Sequence, residues 1–218
     1  MPTKLHRRYA AGLPAPALLG LAVLLGCDQA RGYEVTISTG SRALYLQVGT
    51  GGMSGRYEDG GTPGNNASIN SVTATVTADT LGSGPLRMST NSSVNNSPYD
   101  GFNYCDSGAG AVYVGGFYRT PGAAGSAASL TVNTPPSLVG TGGATIPFST
   151  ISWVSGGQDD TGAPAIRSGT FTSGTQTIAN SIPRNTWFEG CLTFTYANDQ
   201  MQPAGTFTGR ATYQLAAP

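Results

Sequence analysis

Short runs of alternating apolar and polar residues recur along the chain, separated by clusters of Gly, Pro, Asn and Ser. The runs are rich in Val, Ile, Thr, Tyr and Phe, and no apolar repeat with the period of a helix accompanies them. This pattern is typical of an antiparallel all-β domain. It predicts nine strands, which lie at residues 33–38, 44–48, 69–77, 111–118, 129–132, 144–153, 169–178, 187–196 and 206–215.

The number and spacing of these runs predict a single β-sandwich over residues 33–218. The spacing is irregular, and the connection at 49–64 is long and rich in glycine, which favours Greek-key connections between the strands. Closure into a barrel is the alternative. Gly115 and Gly116 interrupt the run at 111–118, which predicts a β-bulge at that point.

Alternation in the run at 187–196 assigns its side chains to two faces. Leu192, Phe194 and Tyr196 share one face, which we expect to be the core face, and Cys191 lies on the other. Either a disulfide from Cys191 therefore lies across the outer surface of the sheet, or the strand begins at a bend near Gly190.

The N-terminal residues have the three parts of an export signal. A basic start is followed by an apolar run at 17–26 and by small residues before a cleavage point, which predicts a signal peptide at 1–32. The alternative is a lipoprotein signal at 1–26, after which Cys27 would carry the lipid. The apolar run is too short to span a bilayer, so we expect an exported protein with no transmembrane segment.

The composition of the mature chain removes most enzyme mechanisms. The only histidine and the only lysine, His6 and Lys4, lie within the signal. The mature chain then lacks the usual general base, the commonest metal ligand and every lysine nucleophile, so a Ser-His-Asp triad is excluded and we expect neither an enzyme nor a cofactor. Its surface is weakly acidic without basic clusters, which argues against nucleic acid as a partner.

The cysteine count supports export. Three cysteines are an odd number, and either reading of the signal removes or acylates Cys27 and leaves Cys105 and Cys191 as a pair. We predict a disulfide between them, which persists outside the cytoplasm and closes a loop long enough to stabilise the fold by about 4 kcal/mol. Two buried free thiols are the alternative.

Two further patterns suggest chemistry and each has a simpler reading. Asp159 and Asp160, with Glu189, are candidates for a glycosidase-like carboxylate pair or a calcium loop, but 156–162 is also typical of a polar turn. The second pattern is a set of aromatic side chains that could stack on sugar rings in a lectin-like site. For the tryptophans, packing in the core is the favoured reading. The aromatic candidates are Trp153, Trp187, Tyr99 and Tyr104.

The C-terminal segment at 203–215 resembles the closing strand of chaperone-usher pilus subunits, including archaic pili whose subunits carry spore coat U-like domains. Those subunits often end in an alternating strand of the type seen here, and many have a glycine fourteenth from the C-terminus, where this chain has Gly205. The last aromatic residue, Tyr213, is sixth from the end, whereas those subunits usually place an aromatic residue next to last. The general plan of signal, β domain and one disulfide is also similar.

The resemblance implies an immunoglobulin-like sandwich that lacks its last strand and is completed by a strand from another protein. It implies a donor segment with apolar side chains at Tyr33, Val35 and Ile37. The acceptor groove would lie along the last strand, at Gly205, Phe207, Ala211, Tyr213 and Leu215. The implied partners are copies of the chain or other pilus subunits, a periplasmic chaperone and an outer-membrane usher.

Three functions from different classes follow. The first is a structural subunit of an adhesive pilus, exported to the periplasm and then to the surface of a Gram-negative bacterium. The second is a self-contained secreted sandwich that binds glycan or another surface ligand, whose last strand would be paired on both sides. The third is a hydrolase that relies on carboxylates alone.

Overall fold

A computed structural model describes residues 34–56, 60–63, 69–122, 127–158 and 163–218, with the backbone alone for 60–63. Within them the chain forms seventeen strands and two short 3-10 helices, Ser107–Ala109 and Phe148–Thr150. In chain order the strands are β1 Glu34–Thr36, β2 Ala43–Val48, β3 Gly51–Arg56, β4 Gly60–Pro63, β5 Val72–Thr73, β6 Leu86–Arg87, β7 Ser89–Thr90, β8 Ala111–Arg119, β9 Ala128–Thr134, β10 Ser137–Gly140, β11 Thr145–Pro147, β12 Ile151–Gly156, β13 Gly169–Thr170, β14 Gly174–Ile182, β15 Thr186–Tyr196, β16 Phe207–Thr208 and β17 Thr212–Ala216.

The long strand β15 is central in the largest sheet, whose antiparallel order is β13-β12-β15-β8-β2-β3-β4. One side of β15 pairs with β8 and, at its C-terminal end, with β6. The other side pairs with β12 along residues 191–196 and with β1 along residues 186–188. Most positions of β15 are buried, because its side chains pack into a buried cluster on each face of the sheet.

A second sheet, with the order β14-β9-β17, packs against the inner face of the first. Side chains from both sheets meet in one buried cluster, the main core, which includes Leu46, Val114 and Phe194 from the large sheet and Leu130, Val132 and Leu215 from the small one. The remaining strands form the sheets β11-β10-β16 and β5-β7. The expected antiparallel all-β architecture is confirmed, and its two main sheets are the layers of a sandwich.

The predicted faces of β15 are confirmed. Leu192 is 1% exposed, Phe194 5% and Tyr196 7%, and all three lie in the main core. Cys191 lies on the opposite face, and Gly190 pairs regularly with Val114 of β8. The strand begins at Thr186 and continues through Gly190, so it does not begin at a bend near Gly190.

The glycine-rich stretch at 49–64, expected to be a connection, instead contains β3 and β4. Strand β3 pairs in regular register with β2, from Leu44 opposite Gly55 to Val48 opposite Gly51. A strand at this position is held by backbone hydrogen bonds and carries few apolar side chains. The prediction of a connection was wrong because it was based on the lack of apolar alternation, and backbone hydrogen bonds hold this hairpin without such alternation.

Three of the predicted strands are divided, and the run at 69–77 contains only Val72–Thr73. The run at 144–153 is interrupted by the 3-10 helix Phe148–Thr150, and the run at 169–178 by residues 171–173, after which Gly174 begins β14 with a left-handed φ of 80°. The last run breaks between β16 and β17 at Gly209, where a Cβ atom would lie 2.7 Å from the Leu138 side chain. Close packing of the backbone there ends the strand.

Candidate assembly edges and a buried carboxylate

The C-terminal strand β17 pairs with β9 alone among the strands that the structure describes. Leu215 is 4% exposed in the main core and Tyr213 packs half-buried against it, while Thr212, Gln214 and Ala216 are exposed. Burial raises the pKa of the Tyr213 hydroxyl. We call the side of β17 away from β9 the free edge of β17. It presents backbone donors and acceptors and no charged side chain.

The residues predicted to line an acceptor groove contact the same core but do not belong to one strand. Phe207, Ala211, Tyr213 and Leu215 all pack against the main core. Phe207 belongs to β16, however, and lies opposite Gly140 of β10 in another sheet. Gly205 precedes β16 and lies in no strand. The structure therefore limits the continuous part of the predicted groove to β17.

The predicted donor segment is paired within its own chain. Val35 of β1 lies opposite Trp187 of β15, and the Ile37 amide donates to the carbonyl oxygen of Asn185 at 2.8 Å. Val35 and Ile37 are both half-buried on the outer face of the large sheet, while Tyr33 and Cys27 lie outside the described residues. The donor role stays a prediction, and it requires β1 to leave β15.

The predicted disulfide between Cys105 and Cys191 is present, with a Cα–Cα distance of 5.5 Å. It lies on the outer face of β15, the first of the two placements that the sequence left open. It belongs to a second buried group, the outer cluster, formed by Tyr104, Cys105, Ala111, Tyr113, Trp187 and Cys191. Residues 94–104, which precede Cys105, therefore cover this part of the outer face, and we call them the covering segment.

Beside the disulfide, Glu189 of β15 is buried with 1% of its surface exposed. Its Oε2 atom accepts hydrogen bonds from Ser97 Oγ at 2.7 Å, Tyr113 OH at 2.6 Å and Trp187 Nε1 at 2.9 Å. Its Oε1 atom is buried with no hydrogen-bond partner in the described chain. The three donors hold the carboxyl group in place, and Ser97 thereby fixes the covering segment to the sheet.

Gly115 makes room for this cluster. Gly115 and Gly116 pair in unbroken register with both β2 and β15, so the predicted bulge is absent. A Cβ atom at Gly115 would lie 2.2 Å from the Tyr113 hydroxyl and 2.9 Å from Cβ of Glu189. The glycine is needed for close packing in the strand rather than for a bend.

Burial dominates the titration of this site. Removal from water raises the pKa of Glu189, and its three hydrogen bonds act in the opposite direction. Burial and the neighbouring Glu189 also raise the pKa of Tyr113, which keeps its hydroxyl protonated and able to donate. The geometry gives Glu189 a role in packing, since a substrate cannot reach a carboxyl group buried in this way.

We expect the stability of the protein to fall, relative to Glu189→Gln, as the pH rises above the unfolded glutamate pKa of about 4.3. Between that value and the raised folded pKa, the folded chain binds more protons than the unfolded chain. The free energy of unfolding then decreases by at most about 1.4 kcal/mol for each pH unit. Urea denaturation of both proteins from pH 4 to pH 8 measures the difference. A wild-type protein that gains stability relative to the variant would show that the hydrogen bonds outweigh burial.

Of the other candidate site residues, the structure brings together Tyr104, Trp187 and Tyr99, and the last two stack with ring centroids 5.6 Å apart. Asp159 and Asp160 lie outside the described residues, and the described part of the chain has no group of three metal-ligating side chains. Trp153 and Trp187 are 3% and 4% exposed, which confirms core packing over sugar stacking. Tyr104 is likewise buried, at 1% exposed, whereas Tyr99 is 42% exposed. A cleft of about 590 Å³ beside the disulfide is lined by polar and apolar groups in similar proportion.

Comparisons identify no relative of this chain, since no protein-family model, curated protein or solved structure matches it. The described residues also contain no apolar helix of the length that a membrane span requires. The likeness to pilus subunits therefore rests on the closing segment and on the general plan of the chain.

Proposed function

We propose that this chain is a secreted structural subunit of an adhesive surface fibre, in which a strand from a neighbouring copy adds to the free edge of β17. The observation that carries the proposal is the single pairing of β17, which leaves one row of backbone groups without a strand partner in the described chain. An added strand would satisfy these groups and extend the small sheet.

The side chains of β17 also suit strand addition. Tyr213 and Leu215 reach the main core from alternate positions, so a neighbouring strand can place its own apolar side chains beside them. The edge carries none of the charges with which proteins usually prevent such pairing. A self-contained glycan-binding sandwich was expected to pair its last strand on both sides, and the observed edge favours the fibre subunit over that alternative.

The proposal includes the export route and partners implied by the pilus resemblance. The subunit would enter the periplasm with its signal removed, and a chaperone would cover the free edge until an usher delivers it to the fibre. An immunoglobulin-like sandwich without its last strand is the fold that this route requires. The disulfide suits such a compartment, because oxidising conditions preserve it.

Placing lysines on the exposed face of β17 should prevent assembly. Thr212→Lys with Gln214→Lys puts two charges beside the incoming strand, and we expect each to weaken its addition by about tenfold, the equivalent of about 1.4 kcal/mol. The folded subunit should be unaffected, since both side chains are exposed. Sedimentation and electron microscopy of purified protein measure the assembled fraction.

A matched control places the same charges on the opposite edge of the same sheet. Thr175→Lys with Thr177→Lys alters two exposed positions of β14 at the same spacing. This variant should assemble like the wild type. Equal loss of assembly in both variants would point to a general charge effect, and normal assembly of the β17 variant would reject the free edge as the acceptor.

A further inference from the structure

The attachment of β1 to its own chain is short. Three residue pairs, from Glu34 opposite Phe188 to Thr36 opposite Thr186, join it to β15, and the Ile37 amide adds one hydrogen bond. Its apolar contribution is two half-buried side chains, Val35 and Ile37. Within the described residues fewer pairs hold this strand than hold β8, which pairs through five residues with the opposite side of β15.

The part of β15 that pairs with β1 is held in place independently of β1. Trp187, which faces Val35, is fixed by its hydrogen bond to Glu189 at 2.9 Å. Its ring also packs between those of Tyr45 and Tyr99, with centroid distances of 5.7 and 5.6 Å. Removal of β1 therefore uncovers a side chain that is already positioned by other elements.

The connection from β1 to the rest of the chain permits its release. Residues 37–42 form no strand and lead to β2, which lies on the far side of β8 in the same sheet. Strand β2 is held between β3 and β8 and need not move when β1 leaves. Once extended, residues 34–42 reach about 30 Å from β2.

We propose that the edge of β15 at Thr186–Phe188 is a holding site that keeps β1 within its own subunit, and that β1 leaves it to join the free edge of β17 in a neighbouring copy. This inference rests on the proposed fibre function. It explains how an apolar donor segment is covered in a single subunit. The exchange favours assembly because the edge of β17 is five residues long, Thr212–Ala216, so that residues beside β1 such as Ile37 can pair along with it, whereas three residue pairs join β1 to β15.

A reversible covalent lock tests the proposal. Thr36 and Thr186 lie directly opposite each other, and the neighbouring hydrogen bond from Ile37 to Asn185 places them in a non-hydrogen-bonded pair, where opposed side chains come closest. In the full mature chain, Thr36→Cys with Thr186→Cys should form a disulfide within the monomer, detected as the loss of two further hydrogens by intact mass. We expect the locked protein to remain monomeric. Mild reduction that opens the new disulfide should restore assembly, and intact mass checks that the Cys105–Cys191 bond remains. The two single-cysteine variants are the controls.

Each result separates the holding site from the fibre function. If the lock does not form in the monomer, β1 is not held on β15 and the inference fails. If the locked protein assembles as well as the reduced protein, β1 is not the donor, although the β17 lysine variants can still support the fibre. If the unmodified protein stays monomeric under every condition, the fibre function fails, and the role of β1 in assembly fails with it.

Discussion

Replacing Cys105 and Cys191 together with alanine is expected to lower the free energy of unfolding by about 4 kcal/mol. The two residues are 86 positions apart, so the bond removes a large amount of conformational freedom from the unfolded chain. Its loss also releases the segment before Cys105 from the outer face of β15. Urea denaturation of the oxidised wild type and of the double variant at one pH measures the difference.

The wild type in strong reductant provides the matched comparison, because it loses the bond while keeping both side chains. It should approach the stability of the double variant, and the variant itself should not respond to reductant. A loss below about 1 kcal/mol would contradict the loop-closure argument. In that case the hydrogen bonds of Glu189 and the outer cluster hold the covering segment without the bond.

The sequence was sufficient to predict the features that depend on local periodicity or on counting. Alternation in β15 placed Leu192, Phe194 and Tyr196 in the core, and their low exposure confirms it. The odd number of cysteines predicted the pair that forms the disulfide. Both inferences work because the side-chain period of a strand and the pairing of thiols need no knowledge of the tertiary arrangement.

The Glu189 cluster could not be predicted, because its members come from distant parts of the chain. Ser97 lies in the covering segment and Tyr113 in β8, and only the sheet register brings them to Glu189. A local signal existed in Gly115, whose missing side chain leaves space for the Tyr113 hydroxyl beside Glu189. That glycine was assigned to a bulge, since sequence alone does not distinguish a bend from close packing.

The pairing of β1 shows a different limit of sequence reasoning. Alternation identified an extended segment with apolar residues at Val35 and Ile37, and the structure does contain a strand there. The partner of an edge strand depends on which neighbouring edges are available. Both β15 and β17 offer one, and the choice between them determines whether the segment completes its own subunit or joins a second copy.

Glu189→Ala is expected to destabilise the protein by about 3 kcal/mol, because it leaves three buried donors without an acceptor and each costs about 1–3 kcal/mol. The donors are Ser97 Oγ, Tyr113 OH and Trp187 Nε1. Relief of the buried carboxyl group offsets part of this loss, since its Oε1 atom has no partner in the described chain. Thermal and urea unfolding at pH 5 give the magnitude, and limited proteolysis within the segment that contains Ser97 reports its release.

Glu189→Gln is the control, because its amide oxygen can still accept the hydrogen bonds while the charge is removed. We expect it to lose less than half as much stability as the alanine variant at pH 5 and to keep the covering segment protected from protease. Equal losses in the two variants would mean that removal of the charge, which both variants share, accounts for the effect rather than loss of the acceptor or of side-chain volume. An alanine variant as stable as the wild type would show that the three donors find other partners, and Glu189 would then have no part in holding the covering segment to β15.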